Sequence, residues 1–212
     1  MASVCSVFVT LSGFNFFAML DHKALTDLLQ MAYSAEKAAA FAYQGHVASV
    51  KDPVEKAAIR QIELDEWQHR KEVLQIMDQY NIPVSRYYEL RFYIIGKLIS
   101  VSCHVIGWFM PFYFAGRLES GNVCEYFRMI TYFHSLGIRE HDDILYEMGM
   151  KEKEHEIYFL RKIDGHKWLP FFEKLFSWGN NKSFNRLELD EKYSTDHIGD
   201  YCPAKKHPVD KR

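Results

Sequence analysis

Apolar and small side chains recur at helical spacing along the early part of the chain and predict two helices there. The second helix is expected from about 53 to 80, because Asp52 suits the position before a helix and Pro53 suits its first turn. Only Lys51 and its neighbours separate it from the first, so the two predict an antiparallel hairpin. The first helix is expected from about 25 to 50, where one side carries Leu28, Leu29, Ala32, Ala35, Ala39, Ala42 and Val47.

A second helix hairpin is predicted further along the chain, at about 121–136 and 139–163. Ser120-Gly121-Asn122 is typical of the start of a helix, and Gly137 is typical of the end of one. Two hairpins that each bury one apolar face can pack on one another around a shared core. The pattern therefore predicts an all-α fold built as a four-helix bundle.

The segment between the two hairpins, residues 91–117, is unusually apolar, and we call it the apolar collar. It is rich in aromatic residues and carries no Asp, Glu, Lys or Arg from Leu98 to Gly116. Three interpretations are open. The collar is a buried crossover helix, a surface that dips into one leaflet of a membrane, or a transmembrane helix interrupted by Pro111.

Composition and the two ends of the chain limit the alternatives. With 212 residues, of which 48% are hydrophobic, the chain can bury one core, which is expected within 24–165. The net charge is −2, which is unlike the basic surface of a nucleic-acid-binding protein. Residues 1–23 are interpreted as an apolar N-terminal extension, and residues 166–212 as a C-terminal extension whose polar last part is expected to be disordered.

The candidate chemistry lies in a repeated Glu-x-x-His pattern. Glu66 and His69 form one pair, and Glu152 and His155 form the other. Residues three apart on a helix share a face, so each pair offers a carboxylate and an imidazole to one metal ion. Two such pairs, with one further Glu from each of two other helices, form the ligand set of di-iron and di-manganese four-helix proteins. Glu36 is expected to supply one of these, since a carboxylate on the packed side of a helix needs a cation.

Distance from the turns is used to choose the last carboxylate. Glu36 and Glu66 are equally far from the first turn and should face each other across the hairpin. In the second hairpin, Glu125 and Glu152 are centred on the predicted turn. Glu119 is displaced from the matching position by about six residues, or roughly 9 Å. We therefore expect Glu125 to be the ligand and keep Glu119 as the reserve.

Two tyrosines are candidates for hydrogen bonds to the metal ligands. Tyr43 and Tyr132 each follow an expected ligand by seven residues, which places them on the same side of the helix two turns later. Packing in the core with a satisfied hydroxyl group is the alternative for both.

These motifs resemble the ferritin-like superfamily and, within it, the demethoxyubiquinone hydroxylase family of ubiquinone biosynthesis, over about 24–165. The likeness rests on the stretch from Ala35 to His46, on both Glu-x-x-His pairs and on the glycine-punctuated apolar collar. The family's first-helix motif ends in Gln, where this chain has His46.

The resemblance implies a monooxygenase with two iron ions, or manganese in their place, that uses dioxygen to hydroxylate a quinone-like lipophilic ring. It further implies an external electron donor, a homodimer or a complex of quinone-pathway enzymes, and peripheral membrane contact through 91–117. The expected location is the inner face of the cell membrane or the equivalent mitochondrial surface. A different class of function is a ferritin-like protein that oxidises or handles iron without an organic substrate.

Overall fold

The structure is a computed structural model that describes residues 20–176, and this part of the chain contains helices but no strand. The prediction of an all-α fold is therefore confirmed. The first nineteen residues of the chain and the predicted disordered tail, from residue 177 on, lie outside the described residues. In chain order the helices are α1 (Lys23–Ser49), α2 (Pro53–Gln79), α3 (Arg86–Ser102), α4 (Phe109–Ser135), α5 (Asp142–Ile163) and α6 (Leu169–Phe176).

The first hairpin forms where the local sequence signals place it. A carboxylate oxygen of Asp52 accepts a hydrogen bond from the backbone N–H of Val54 at 2.7 Å, and Pro53 occupies the first position of α2. These features satisfy backbone donors that a helix start leaves without partners. The side chains of Gln44 and Glu63 meet at 2.8 Å across the hairpin, as expected for antiparallel neighbours.

The second hairpin differs from its prediction at the start of both helices. α4 begins at Phe109, not at 121, and runs through Ser120-Gly121-Asn122 without a break. The local start signal is overridden because the first turns of α4 bury Phe112 and Tyr113 completely, and tertiary packing stabilises helices more than propensity does. α5 begins at Asp142, after a connection in which the His141 side chain is buried.

The apolar collar is divided between two helices. It comprises most of α3, the connection that follows and the first part of α4. α3 packs directly against α1 because glycines remove side chains from the interface. A Cβ on Gly96 would lie 2.7 Å from the Cα of Ala38, and one on Gly45 would overlap the backbone of Ser100. The collar is therefore partly a packed crossover, as one of the interpretations expected.

The side of α3 that faces away from α1 remains exposed although it is apolar. No helix within residues 20–176 is both long enough and apolar enough to cross a membrane. The exposed apolar residues on this side of α3, which we call the outer stripe, are Tyr87, Leu90, Ile94, Leu98 and Val101.

The core consists of two apolar clusters separated along the helix axes. One contains the early part of α1 with the ends of α2 and α4, and includes Leu29, Met77 and Phe133. The other contains the late part of α1 with the start of α2 and the end of α5, and includes Ile59 and Phe159. Helices α1, α2, α4 and α5 contribute polar residues to the layer between the clusters, and the candidate site lies there.

Candidate metal centre

Six carboxylate and imidazole side chains meet between the two apolar clusters. They form two overlapping groups, and within each group the possible ligand atoms all lie within 4.8 Å of one another. Glu66 and Glu152 belong to both groups. No member is more than 4% exposed. The first group is Glu36, Glu66, His69 and Glu152, and the second is Glu66, Glu119, Glu152 and His155.

The polar atoms of this cluster fit a pair of metal ions because most of them lack any other partner. Both carboxylate oxygens of Glu66 and of Glu152 are buried with no hydrogen-bond partner outside the cluster, and so is the Nδ1 atom of each histidine, His69 and His155. A buried charge without a partner is costly, whereas a cation coordinated by these atoms would remove the cost. Carboxylate oxygen together with imidazole nitrogen suits iron and manganese.

Electrostatics within the cluster are dominated by burial and by the crowding of carboxylates. Burial raises the pKa of Glu66 well above its usual range, and the nearby carboxylates of Glu152 and Glu36 raise it further. Burial also raises the pKa of Glu119, and Glu152 adds to the effect. Burial acts on Glu152 in the same direction, but contacts with Glu119 and with both histidines hold the pKa of Glu152 well below its usual range. Without cations, the cluster therefore holds protons that two metal ions would replace.

Both histidines turn the same ring nitrogen towards the carboxylates. Nδ1 of His69 lies 2.8 Å from Oε1 of Glu152, and Nδ1 of His155 lies 3.3 Å from Oε1 of Glu66. On the far side of its ring, Nε2 of His155 lies 3.1 Å from Oδ2 of Asp65. A carboxylate at that position fixes the tautomer and the orientation of a metal-binding imidazole. Sequence reasoning missed Asp65, although it directly precedes Glu66.

Two tyrosines at the site each donate a hydrogen bond from one helix hairpin to a carboxylate of the other. The hydroxyl of Tyr43 donates a hydrogen bond to Glu119, and the hydroxyl of Tyr126 donates one to Glu36. The structure thus places the predicted Tyr43 at the site. It does not place Tyr132 there, because that side chain packs against the apolar cluster at the other end of the molecule.

The structure does not bring Glu125, the expected carboxylate of α4, into the cluster, and the reserve Glu119 lies there instead. Glu125 belongs to neither group of ligand atoms and is partly exposed. The distance argument failed because Glu119 lies opposite the turn that carries His155, so it need not be level with Glu152. The deciding signal is the helix face, which seven-residue spacing marks with the buried residues Phe112, Glu119, Tyr126 and Phe133.

An apolar cavity of about 600 Å³ adjoins the site on the Glu119 side. Its walls come from α1, α3 and α4, and Glu119 and Tyr43 lie in the wall nearest the carboxylates. This volume falls within the range of small-molecule sites. Its hydrocarbon walls include Ala39, Phe92, Ile95, Ile99, Met110 and Phe114.

The site therefore combines a buried cluster that could hold two metal ions with an apolar chamber that reaches one of the candidate ligands. Five of the six clustered residues were predicted as ligands from the sequence, and the sixth was the stated reserve. Comparison of the chain with models of protein families, with curated proteins and with solved structures found no match.

Proposed function

We propose that this protein is a ferritin-like di-iron monooxygenase that hydroxylates a quinone-like lipophilic ring at a membrane surface. The observation that carries the proposal is the pair of metal-binding groups that share Glu66 and Glu152 and meet an apolar cavity at Glu119. In this proposal α1, α2, α4 and α5 are the four helices of the bundle, and each supplies one carboxylate.

The chemistry that a bound iron pair supplies is the reduction and cleavage of dioxygen. One oxygen atom enters a ring C–H bond and the other leaves as water, with two electrons from an external reductant and two protons from solvent. Glu66 and Glu152 belong to both groups of ligand atoms and would help to hold both ions, while each histidine would help to hold one. The hydrogen bond that Tyr43 donates holds Glu119 in place. The hydrogen bond that Tyr126 donates does the same for Glu36. The hydrocarbon walls of the cavity keep water from the reacting ring.

The proposed membrane contact rests on the two faces of α3. One face, with Phe92, Ile95 and Ile99, lines the cavity, and the opposite face carries the outer stripe. A lipid-soluble substrate could therefore pass beside this helix without crossing water. The exposed charged residues of α3 are basic, namely Arg86, Arg91 and Lys97, which suits anionic lipid headgroups.

The experiment that tests the proposal measures iron binding and oxygen insertion in the full-length chain. Protein loaded anaerobically with iron(II) is expected to retain about two ions per chain. It is then given a chemical reductant, a benzoquinol with a short alkyl chain, and isotopically labelled dioxygen. Mass spectrometry is expected to find one labelled oxygen atom in the ring. Glu152→Gln should abolish the product, whereas Glu154→Gln, which alters a neighbouring exposed carboxylate, should not.

Iron handling without an organic substrate predicts a different result from the same experiment. Uptake far above two ions per chain, with oxygen consumption but no labelled ring, would replace the monooxygenase proposal with that function. Failure to bind iron in a stoichiometric amount would reject both.

A further inference from the structure

One carboxyl group in the wall of the apolar cavity has no role in the metal centre. Glu125 lies on α4, whose cavity-lining side chains recur every three or four residues and include Leu118 and Asn122 before it. Residues at this spacing share one face of a helix, so Glu125 continues the row that faces the cavity. Because it belongs to neither group of metal-ligand atoms, its carboxyl is free for another task.

The carboxyl of Glu125 is accessible and has no partner in the described protein. The residue is partly exposed, and neither of its carboxylate oxygens is enclosed by protein atoms. It forms no hydrogen bond or ion pair within residues 20–176, although Arg128 follows one turn later on the same helix. A ligand that occupies the cavity can therefore reach these oxygens.

The surroundings of Glu125 favour a ligand group that donates a hydrogen bond. Burial raises the pKa of Glu125 to about 7 against the opposing charge of Arg128, and the carboxylates of Glu36 and Glu152 raise it further. The wall thus gives the ionised carboxylate too little hydrogen bonding in place of water. A hydroxyl group on the ligand would supply it, and hydrogen bonds to a charged acceptor are stronger than those between neutral groups.

The other polar groups along this wall point to the same kind of ligand. Tyr43 and the side-chain amide of Asn122 each donate a hydrogen bond to Glu119, the latter at 2.8 Å. Among the described residues no Lys or Arg lines the cavity, so the wall offers its ligand no cation. The polar side of the cavity is therefore rich in hydrogen-bond acceptors.

The location of Glu125 relates it to the metal centre. It follows Glu119 by six residues, or about 9 Å along the helix axis. Glu119 belongs both to the cavity wall and to the cluster of candidate metal ligands. A six-membered ring whose hydroxyl is bound at Glu125 has room to lie between these two residues, and an attached hydrocarbon chain could extend along the apolar walls of α1 and α3.

We propose that Glu125 accepts a hydrogen bond from a ring hydroxyl and thereby makes the cavity select phenols and quinols over rings that only accept hydrogen bonds. The inference rests on the proposed function for the class of substrate but concerns binding, which can be measured without turnover. It identifies the reduced, hydroxyl-bearing form of a quinone-like ring as the form that the cavity binds.

The test compares three ligands that differ in one substituent. They are 4-hexylphenol, which donates a hydrogen bond, 4-hexylanisole, which only accepts one, and hexylbenzene, which does neither. Equilibrium dialysis measures their binding to the full-length protein, kept free of oxygen so that no turnover occurs. We expect the natural chain to bind the phenol about tenfold more tightly than the anisole, as for one hydrogen bond in an apolar site.

Three variants assign that preference to one side chain. Glu125→Leu should bind the phenol and the anisole equally, while hexylbenzene binds at least as tightly as to the natural chain because leucine is apolar. Glu125→Gln retains an oxygen that accepts a hydrogen bond and should keep the preference within about twofold. Glu147→Leu is the matched control, since Glu147 is exposed on α5 and does not line the cavity.

The possible results separate this inference from the proposed function. A phenol preference that depends on Glu125, without ring hydroxylation, would support the inference and reject the monooxygenase activity. Equal weakening of all three ligands in Glu125→Leu would mean that Glu125 only supports the cavity wall, which would overturn the inference. An unchanged preference in that variant, or no phenol binding by the natural chain, would overturn it as well.

Discussion

At the scale of single residues, a carboxylate that belongs to both groups of ligand atoms is expected to affect more bound metal than a carboxylate that belongs to one group. Glu66 belongs to both groups of ligand atoms, whereas Glu36 belongs to one. Glu36→Gln should therefore lower the bound iron from about two ions per chain to about one, and Glu66→Gln should remove nearly all of it. Iron content after gel filtration measures both. Equal iron loss in the two variants would contradict the shared role of Glu66.

The metal-free protein offers a control for those variants. Burial and the neighbouring carboxylates raise the pKa of Glu66 well above its usual range, which favours the neutral acid in the metal-free cluster. Glu66→Gln replaces that acid with a neutral amide of the same shape, so the free energy of unfolding without metal should change by no more than about 1 kcal/mol. A much larger loss would show that the variant fails to fold and that its iron content says nothing of ligation.

His46 gives a prediction for the pH dependence of stability. Burial lowers the pKa of His46 from 6.5 to about 4. Between these values the unfolded chain binds a proton that the folded chain does not, so the free energy of unfolding falls as the pH is lowered through this window. From pH 7 to pH 5, His46→Gln should lose about 2 kcal/mol less than the natural chain. Urea unfolding at both pH values measures the difference, and identical losses would contradict a buried, neutral imidazole.

The residues that the sequence identified are those for which local spacing carries the information. Each Glu-x-x-His pair lies within one helical turn, so its common face follows from helix geometry alone. Distance from the turn did not identify Glu119, because the carboxylate of α4 was expected to be level with Glu152 and instead lies opposite the turn that carries His155. Gly149 contacts Phe127 and Gly116 contacts Leu160, and these contacts place Glu119 nearer the level of His155 than that of Glu152.

At the scale of helices, the α1–α3 interface is expected to tolerate little added volume. A Cβ on Gly96 would lie 2.7 Å from the backbone of Ala38, which cannot move independently of α1. Gly96→Val should therefore destabilise the fold by roughly 1–3 kcal/mol, as overpacking does elsewhere. It should also weaken binding of an alkyl quinone, since α1 and α3 form two walls of the cavity. Thermal unfolding and fluorescence quenching measure the two effects.

Gly121 provides a matched control for that change. It also lies inside a helix, but an added Cβ would meet nothing within 4 Å among the described residues. Gly121→Ala should stabilise the protein by about 0.5–1 kcal/mol, because alanine favours a helix interior over glycine. If both glycine substitutions were destabilising to the same extent, close packing of α3 on α1 would not be the reason.

The helix boundaries show which helix starts the local sequence predicts and which it does not. Asp52 and Pro53 start α2 as predicted, because the hydrogen bonds of a helix cap are local. Ser120-Gly121-Asn122 carries an equally local start signal and yet lies inside α4. There, the burial of Phe112 on one side and of Tyr126 on the other supports a continuous helix. Such packing involves partners distant in sequence, which a local pattern does not contain.

At the scale of the whole molecule, the two hairpins contribute equivalent parts to one site. Each supplies a Glu-x-x-His pair, a further Glu and a tyrosine seven residues after that Glu. Each tyrosine donates to the further Glu of the other hairpin, so Tyr43 reaches Glu119 and Tyr126 reaches Glu36. The repeated Glu-x-x-His motif could be recognised in the sequence. The cavity was not, because its walls combine residues of three helices whose relative placement only the fold determines.

The outer stripe of α3 leads to the prediction that the protein binds lipid vesicles through this face. Leu98 and Val101 are 66% and 68% exposed, lie one turn apart and form the apolar end of the stripe. Replacing both with Glu should weaken binding to vesicles containing anionic lipid at least tenfold, because each apolar side chain contributes about 1–2 kcal/mol on burial. Iron content should not change, since neither residue contacts the metal centre. Vesicle sedimentation and metal analysis measure the two properties.

Leu64 is the control that separates a specific face from general surface hydrophobicity. It lies on α2 and is 52% exposed, so Leu64→Glu adds a charge at a comparable site away from the outer stripe. We expect it to bind vesicles as the natural chain does, whereas added salt should weaken binding of both because Arg86, Arg91 and Lys97 attract the anionic headgroups. Equal loss of vesicle binding in the Leu64 and α3 variants, or no binding by the natural chain, would remove the membrane from the proposal. The metal centre and the cavity would then have to receive their substrate from solution.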